Sequence, residues 1–146
     1  MFMKSIQSLC LIQSILMKTD LTNATFIIPI RIESDDRLRN VVTSIAFLVE
    51  NFDTNIIVKE VDKESVFQTE VLPIFEEILE VDLWKNFHHI FERSEEPLFH
   101  RQRVLNEMIA ECDTDIVVNY DCDVILPIQS YKLAYDGIMD GIYDVV

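Results

Sequence analysis

The sequence predicts an α/β fold with a mostly parallel sheet flanked by helices. Short apolar runs rich in β-branched residues alternate with stretches in which apolar residues recur at helical spacing. This alternation is typical of βαβ crossovers, in which helices cover both faces of a parallel sheet. The 146 residues, 49% of them hydrophobic, suffice for one domain with a sizeable core, so we expect a single compact unit.

The first predicted strand is the run TFIIPIRI over residues 25–32, whose apolar, β-rich composition indicates a buried strand. Pro29 cannot donate a hydrogen bond to a neighbouring strand, so we expect pairing to be interrupted or to end near it. Ser34 is a favourable N-cap for the helix that follows, and apolar residues then continue at helical spacing as far as Phe52.

Residues 55–61 (NIIVKEV) predict a second strand. Ser65 and Gln68 stand at capping-box spacing before a helical stretch that Pro73 should kink or split. The remaining predicted elements are a strand over residues 87–91, a helix over 97–112, a strand over 115–120 and a helix over 128–140.

The domain is expected over residues 24–146, preceded by a helical lead-in over residues 1–23. Polar side chains interrupt the opening of the chain, which falls short of the roughly 20 apolar residues that a membrane span needs, so no transmembrane segment is expected. The cysteines lie far apart and form no CxxC pair, which indicates neither a disulfide framework nor a thiolate zinc site. These features predict a cytoplasmic protein.

The chain is strongly acidic, with 26 acidic residues against 12 basic ones and a formal charge of −14. Nucleic acid and anionic membranes are therefore excluded as expected partners, because their phosphates would be repelled. A phosphorylated small molecule could bind only where a divalent cation or a few arginines offset this charge locally.

Several enzyme classes lack their motifs here. The chain has only two glycines, so neither a GxGxxG fingerprint nor a P-loop can form. It also contains no GxSxG and no HExxH, which removes the signatures of serine hydrolases and zincins. The neighbouring His88 and His89 should point to opposite faces of a strand and cannot chelate one metal together.

Asp121 and Asp123 follow directly from the apolar fourth strand, and carboxylates two residues apart can come to one side of the chain. Their oxygens suit Mg²⁺ or Mn²⁺, which would bridge them to substrate phosphates. An Asp-x-Asp pair is a weak signal in an acidic chain, but open α/β sheets bind ligands beyond the carboxyl ends of their strands. Arg31, Glu60 and Asp62 end the other strands and become candidates for the same reason.

Four segments together resemble one family. They are TFIIPIRIES (25–34), IIVKEVDKES (56–65), FHRQRVLNEMI (99–109) and DIVVNYDCDVILP (115–127). In this order they resemble glycosyltransferases of the GT-A fold, in the family 2-like galactosyltransferase group. The last two segments, which are adjacent, are the specific part of the match.

The resemblance implies a GT-A (nucleotide-diphospho-sugar transferase) fold and a metal-dependent donor site. Asp123 would coordinate Mn²⁺ or Mg²⁺, and Asp121 would contact the ribose or share the metal. The other implied donor-binding residues are Pro29, Ile30 and Arg31 at the nucleotide, Glu60 or Asp62 at the base, and Arg101 and Asn106 at the diphosphate and sugar.

The implied reaction is transfer of a hexose from a nucleoside-diphosphate sugar, by resemblance a UDP-sugar, to a hydroxyl of a glycan or other acceptor. The acceptor-binding segments and the catalytic base of the family have no counterpart in this sequence. We therefore expect a truncated domain, completed by a second copy or by a partner chain, and the catalytic base is unknown.

Two alternatives remain open at the level of sequence. One is a non-catalytic module that binds sugar nucleotides and needs a partner for activity. The weaker one is a sugar-nucleotide pyrophosphorylase, whose related fold needs a glycine-rich phosphate loop where this chain has RIESDD (31–36).

Overall fold

The computed structural model describes residues 18–79 and 85–146 and contains one sheet of four parallel strands. The strands are β1 (Thr19–Ile30), β2 (Phe52–Asp62), β3 (Phe87–Arg93) and β4 (Ile116–Asn119), in the order β3-β2-β1-β4. The helices are α1 (Asp35–Asn51), α2 (Leu72–Ile78), which continues a π-helical segment (Phe67–Val71), α3 (Arg101–Ala110) and α4 (Ile128–Met139). The predicted α/β class with a parallel, helix-flanked sheet is confirmed.

The core has one cluster on each face of the sheet, because successive strand residues point to opposite sides. Ile28 and its neighbours on one face pack with α1, α2 and α4. Ile27, on the other face, packs with Val104 and Met108 of α3. None of the helices in residues 18–79 and 85–146 combines the length and the hydropathy that crossing a membrane requires.

Strand β1 begins at Thr19, inside the stretch 1–23 that we expected to be a helical lead-in. Residues 1–17 of that lead-in lie outside the described residues. Strand β2 also begins earlier than expected, and Thr19 pairs with Phe52 at the start of both strands. Pairing between the two strands, which the composition of either segment does not reveal, therefore decides where they start.

Pro29 lies one residue before the end of β1, and the pairing of β1 with β4 ends two residues before it, so the expectation that pairing ends near the proline is confirmed. The Ile27 carbonyl accepts a hydrogen bond from the backbone N–H of Tyr120 (3.1 Å), so Ile27 faces β4. Pro29, two residues further on, faces the same side, but β4 pairs with β1 only as far as Ile27. The proline therefore stands where no ladder bond is needed.

The segment after β2 keeps the predicted cap. The Gln68 backbone N–H donates to Ser65 Oγ (3.1 Å), and Pro73 lies in the first turn of α2, where it breaks no helical bond. Helix α3 begins at Arg101 and not at Pro97 as expected, because the Pro97 carbonyl accepts a hydrogen bond from the Arg31 side chain and the chain bends at Pro97 and Leu98 without forming a helical turn.

Four alternating charges fix α3 on the sheet. Lys59 of β2 contacts Glu107 (2.5 Å) and Glu92 (3.2 Å), and Arg103 of α3 contacts the same two carboxylates, each at 2.7 Å. The two cations and two anions balance one another, so the network holds α3 in place without leaving an unpaired charge. Arg101, the first residue of α3, is thereby held at the carboxyl edge of the sheet.

Both glycines serve the end of α4. The Ile142 N–H donates to the Gly137 carbonyl (2.8 Å) and the Gly141 N–H to the Ile138 carbonyl (3.0 Å), the bonding pattern of a Schellman cap. Gly141 has φ +68°, a left-handed conformation that other residues adopt at a cost. Gly137 leaves room for the Tyr143 ring, which would lie 2.5 Å from a Cβ at that position.

We expect Gly141→Ala to lower the free energy of unfolding by about 1 kcal/mol, because alanine carries a Cβ into the left-handed region. Gly141→Asn is the matched control and should cost clearly less, since asparagine tolerates this conformation at helix ends. Urea unfolding followed by circular dichroism measures both variants. Equal stability of the alanine variant and the wild type would contradict the assignment of the cap.

Candidate functional site

The strand order reverses between β1 and β4. From β1 the chain first builds the sheet in one direction through β2 and β3, and then returns to place β4 on the other side of β1. In open α/β sheets the crevice beyond the carboxyl ends of the two strands at such a reversal is the usual ligand site. Arg31 follows β1 directly, and Asp121 to Asp123 follow β4 within a few residues.

Arg31, which immediately follows β1, is a buried cation, 7% exposed. Its Nε donates to the Val61 carbonyl (2.8 Å) and its Nη1 to the Pro97 carbonyl (3.1 Å), while the guanidinium lies 5.6 Å from the centre of the Phe99 ring. Nη2 is buried without a hydrogen-bond partner in the described part of the chain, and no described carboxylate forms an ion pair with Arg31. A buried guanidinium in this state favours an anion.

The two aspartates lie on a tight turn after β4. Val124 N–H donates to the Asp121 carbonyl (3.3 Å), which closes the turn. Cys122, between them, packs its side chain against the core, and burial raises the pKa of its thiol to about 12. Asp121 and Asp123 are both exposed, and Asp123 forms no hydrogen bond or ion pair with any described residue.

Arg101 and Asp121, two of the predicted site residues, are brought into direct contact. Arg101 Nη2 lies 2.6 Å from Asp121 Oδ1 and also donates to Asn119 Oδ1 (3.0 Å). The pair connects the first residue of α3 to the acidic turn. Asp121 Oδ2 forms no such contact, so one oxygen of this carboxylate stays available.

The donor set fits a hard divalent cation that keeps part of its own hydration shell. Among residues 18–79 and 85–146 no group of three or more His, Cys, Asp or Glu side chains is arranged around one metal position. Mg²⁺ and Mn²⁺ can be held by one or two carboxylates, with waters and substrate phosphates as the remaining ligands. Asp121 and Asp123 supply those two carboxylates and no more.

Glu60, the first predicted base-binding residue, is fully buried and has a structural role. Its Oε2 accepts a hydrogen bond from Ser65 Oγ (2.5 Å), and its Oε1 accepts one from the Phe67 backbone N–H (3.1 Å). His89, stacked on Phe67, brings its Nε2 to 3.4 Å from the same carboxylate. Both oxygens are thus occupied at the start of the π-helical segment, and Glu60 offers nothing to a ligand.

The other predicted donor residues are placed unequally. Asp62, at the end of β2, is half-buried and accepts a hydrogen bond from the Lys63 N–H (2.7 Å), so it remains near the surface. Pro29 and Ile30 are buried in β1, Ile30 within the core, and neither side chain reaches the crevice.

Asn106 does not join Arg101 at the crevice. Five residues separate the two on α3, which turns their side chains about 140° apart. Asn106 is exposed, and its side-chain oxygen accepts a hydrogen bond from Gln102 (3.3 Å), one turn earlier on the same helix. The structure therefore gives it no contact with the acidic turn.

Three hydroxyl groups that the sequence analysis did not select form hydrogen bonds with the backbone of the acidic turn and the residues that follow it. Ser44 of α1 donates to the Cys122 carbonyl (2.6 Å), Tyr120 donates to the Val124 carbonyl (2.7 Å), and Tyr131 accepts from the Leu126 N–H (3.1 Å). Ser44 stands on the apolar face of α1, where a polar residue is unexpected, and that position is the signal that could have identified it.

Comparisons of the chain with protein-family models, with curated proteins and with solved structures each found no match. The resemblance to GT-A glycosyltransferases therefore stays a prediction that rests on residues of this chain.

We expect Glu60→Gln to lower the free energy of unfolding by about 2 kcal/mol at pH 7, because hydrogen bonds to a buried charge are the stronger ones. Glu64→Gln, an exposed carboxylate four residues later, is the matched control and should change stability by less than about 0.5 kcal/mol. Urea unfolding at pH 7 measures both.

The difference in the free energy of unfolding between wild type and Glu60→Gln should depend on pH. Burial alone would raise the pKa of the Glu60 carboxyl, but the nearby His89 ring and the hydrogen bonds from Ser65 and the Phe67 N–H outweigh it and lower that pKa below its ordinary 4.5. A lowered folded-state pKa gives stability that is fully present above pH 4.5 and is lost as the pH falls through the lowered value. The gap between wild type and Glu60→Gln should therefore shrink on acidification, and a constant gap down to the lowest pH at which the protein stays folded would contradict this role.

Proposed function

We propose that this chain binds a nucleoside-diphosphate sugar, by resemblance a UDP-sugar, and transfers its hexose to a hydroxyl of an acceptor. The observation that carries the proposal is that a cation and a carboxylate, each without an ion-pair partner among the described residues, follow the two strands at the reversal point of the sheet. Arg31 is a buried cation that lacks an anionic partner in the described chain, and Asp123 is an exposed carboxylate without a cationic one.

A nucleoside diphosphate with its divalent cation satisfies both requirements. Its phosphate oxygens could accept from Arg31 Nη2, and Asp121 and Asp123 would hold the cation. A bound divalent cation supplies charge neutralisation for the leaving diphosphate. This local compensation is what a ligand with several negative charges needs in a chain of charge −14.

The protein residues would act mainly by orientation. Arg31 is held by two backbone carbonyls, so its free N–H direction is fixed before a ligand arrives. Arg101 restrains Asp121 through one oxygen and leaves the other for the cation. Asp62, the half-buried carboxylate at the end of β2, is the remaining candidate to accept a hydrogen bond from the base.

The free edge of β4 favours a second possibility, a donor-binding module that a partner chain or a second copy completes. Among the described strands β4 pairs only with β1, and a groove of about 800 Å³ follows its other side. Tyr131 and Val124 line that groove, as does Asp121 of the acidic turn. A strand added there would lie beside the donor site, where an acceptor has to approach.

We expect uridine diphosphate to bind the purified protein with Mn²⁺ and to bind much more weakly without it, as measured by calorimetry. Asp123→Asn should weaken the Mn²⁺-dependent binding by more than about tenfold, since even outer-shell partners of a metal are worth that much. Asp113→Asn, an exposed aspartate near the opposite end of β4, is the control and should bind as the wild type does. Equal affinity with and without Mn²⁺ would count against the metal-dependent site.

Release of uridine diphosphate from UDP-hexoses separates the enzyme from the module. Turnover by the chain alone, with water or an added sugar as acceptor, supports the transferase. Tight Mn²⁺-dependent binding without turnover supports the module.

Arg31→Lys should weaken the binding of uridine diphosphate by about tenfold even in saturating Mn²⁺, because lysine keeps the charge but loses the fork of fixed N–H donors. Arg39→Lys, which alters an exposed arginine paired with Asp36, is the matched control. Unfolding curves for both variants show whether Arg31→Lys has also changed the fold. Unchanged affinity in a folded Arg31→Lys protein would remove Arg31 from the site.

A further inference from the structure

The acidic turn depends on one buried hydroxyl more than on its own hydrogen bonds. Within the turn, the Val124 N–H to Asp121 carbonyl bond is long at 3.3 Å and weak by its length. Ser44 of α1, only 2% exposed, donates to the Cys122 carbonyl at 2.6 Å from the opposite side of the chain. This hydrogen bond is shorter than the one within the turn, and it is made to Cys122, the residue between the two aspartates.

The direction of the Ser44 hydroxyl is unusual for a serine inside a helix. Such hydroxyls commonly donate to the carbonyl four residues earlier in their own helix. The neighbouring Thr43 does this, with its Oγ1 2.8 Å from the Arg39 carbonyl. Ser44 instead leaves its helix and reaches a loop 78 residues further along the chain.

We infer that Ser44 is a positioning residue for the acidic turn: its hydroxyl fixes the Cys122 carbonyl so that Asp121 and Asp123 are held outward together before a ligand arrives. This inference rests on the proposed function, in which the two carboxylates hold a cation against a diphosphate. With the Cys122 side chain packed into the core and its carbonyl tied down, the two flanking side chains point to solvent.

The expected gain is preorganisation. Two carboxylates on a mobile loop would have to be ordered when the cation and diphosphate bind, and that ordering would weaken the measured affinity. Tyr120 and Tyr131 hold the second half of the loop through the Val124 carbonyl and the Leu126 N–H. Ser44 is the contact that acts between the aspartates themselves.

The test compares two variants that each lose one buried hydroxyl group bonded to a backbone carbonyl. Ser44→Ala removes a buried hydroxyl that donates to the Cys122 carbonyl in the acidic turn. Thr54→Val is the matched control, since Thr54 is 6% exposed and donates to the Ala24 carbonyl (2.9 Å), away from the turn. Both variants should unfold at a similarly lowered urea concentration, so stability alone does not distinguish the two positions.

Two further measurements do distinguish them. Amide hydrogen exchange of Val124, whose N–H donates within the turn, should become at least fivefold faster in Ser44→Ala and stay within twofold of the wild type in Thr54→Val. Mn²⁺-dependent affinity for uridine diphosphate should fall at least fivefold in Ser44→Ala only. Ser44→Thr, which keeps a hydroxyl, should restore both values.

The outcomes separate the two proposals. If the amide exchange rate is unchanged in Ser44→Ala, the inference is overturned regardless of the ligand-binding result. If the wild type binds uridine diphosphate and Ser44→Ala binds it with the same affinity, the inference is also overturned. A wild type that binds no uridine diphosphate overturns the proposed function and the donor role of the turn. The exchange rates then still decide whether Ser44 holds the turn in place.

Discussion

Strand β1 is the constraint on which the rest of the structure depends. It pairs with β2 on one side and with β4 on the other, and its side chains enter both core clusters. Its carboxyl end is consequently enclosed by neighbouring elements. The residue that follows it, Arg31, is buried there and donates hydrogen bonds to two backbone carbonyls. The crevice and its charge are results of that central position.

Hydrophobic periodicity was enough to predict the strands, the helices and their parallel arrangement, because burial on both faces of a sheet leaves continuous apolar runs. The position of Asp121 and Asp123 after the last strand followed from the same pattern. Glu60 shows where this reasoning stops. Neighbouring Lys59 and Glu60 point to opposite faces, and only the packed structure reveals that Glu60 meets the start of a π-helical segment instead of solvent.

The positions of Ser44 and Asn106 could not be deduced from the sequence for a related reason. The sequence gives the face of a helix on which each residue lies, but not what packs against that face. Ser44 meets a carbonyl of the acidic turn, whereas Asn106 meets only Gln102 of its own helix. The spacing of Arg101 and Asn106 is read along one chain, and the partners that would give these residues a function come from elsewhere in the fold.

The pairing of β1 with β4 also has a consequence for how the molecule forms. Strands β1 and β2 are joined by a single helix. Ala24 of β1 pairs with Ile116 of β4, so most of the chain lies in the loop that closes when these two strands pair. Contacts between such distant residues are made late in folding, because closing a long loop costs entropy that only the final contacts return. The acidic turn follows β4 and is bonded to Ser44 of α1, so it reaches its place only once the last strand has docked. Binding at that turn would therefore report that the entire sheet is in place.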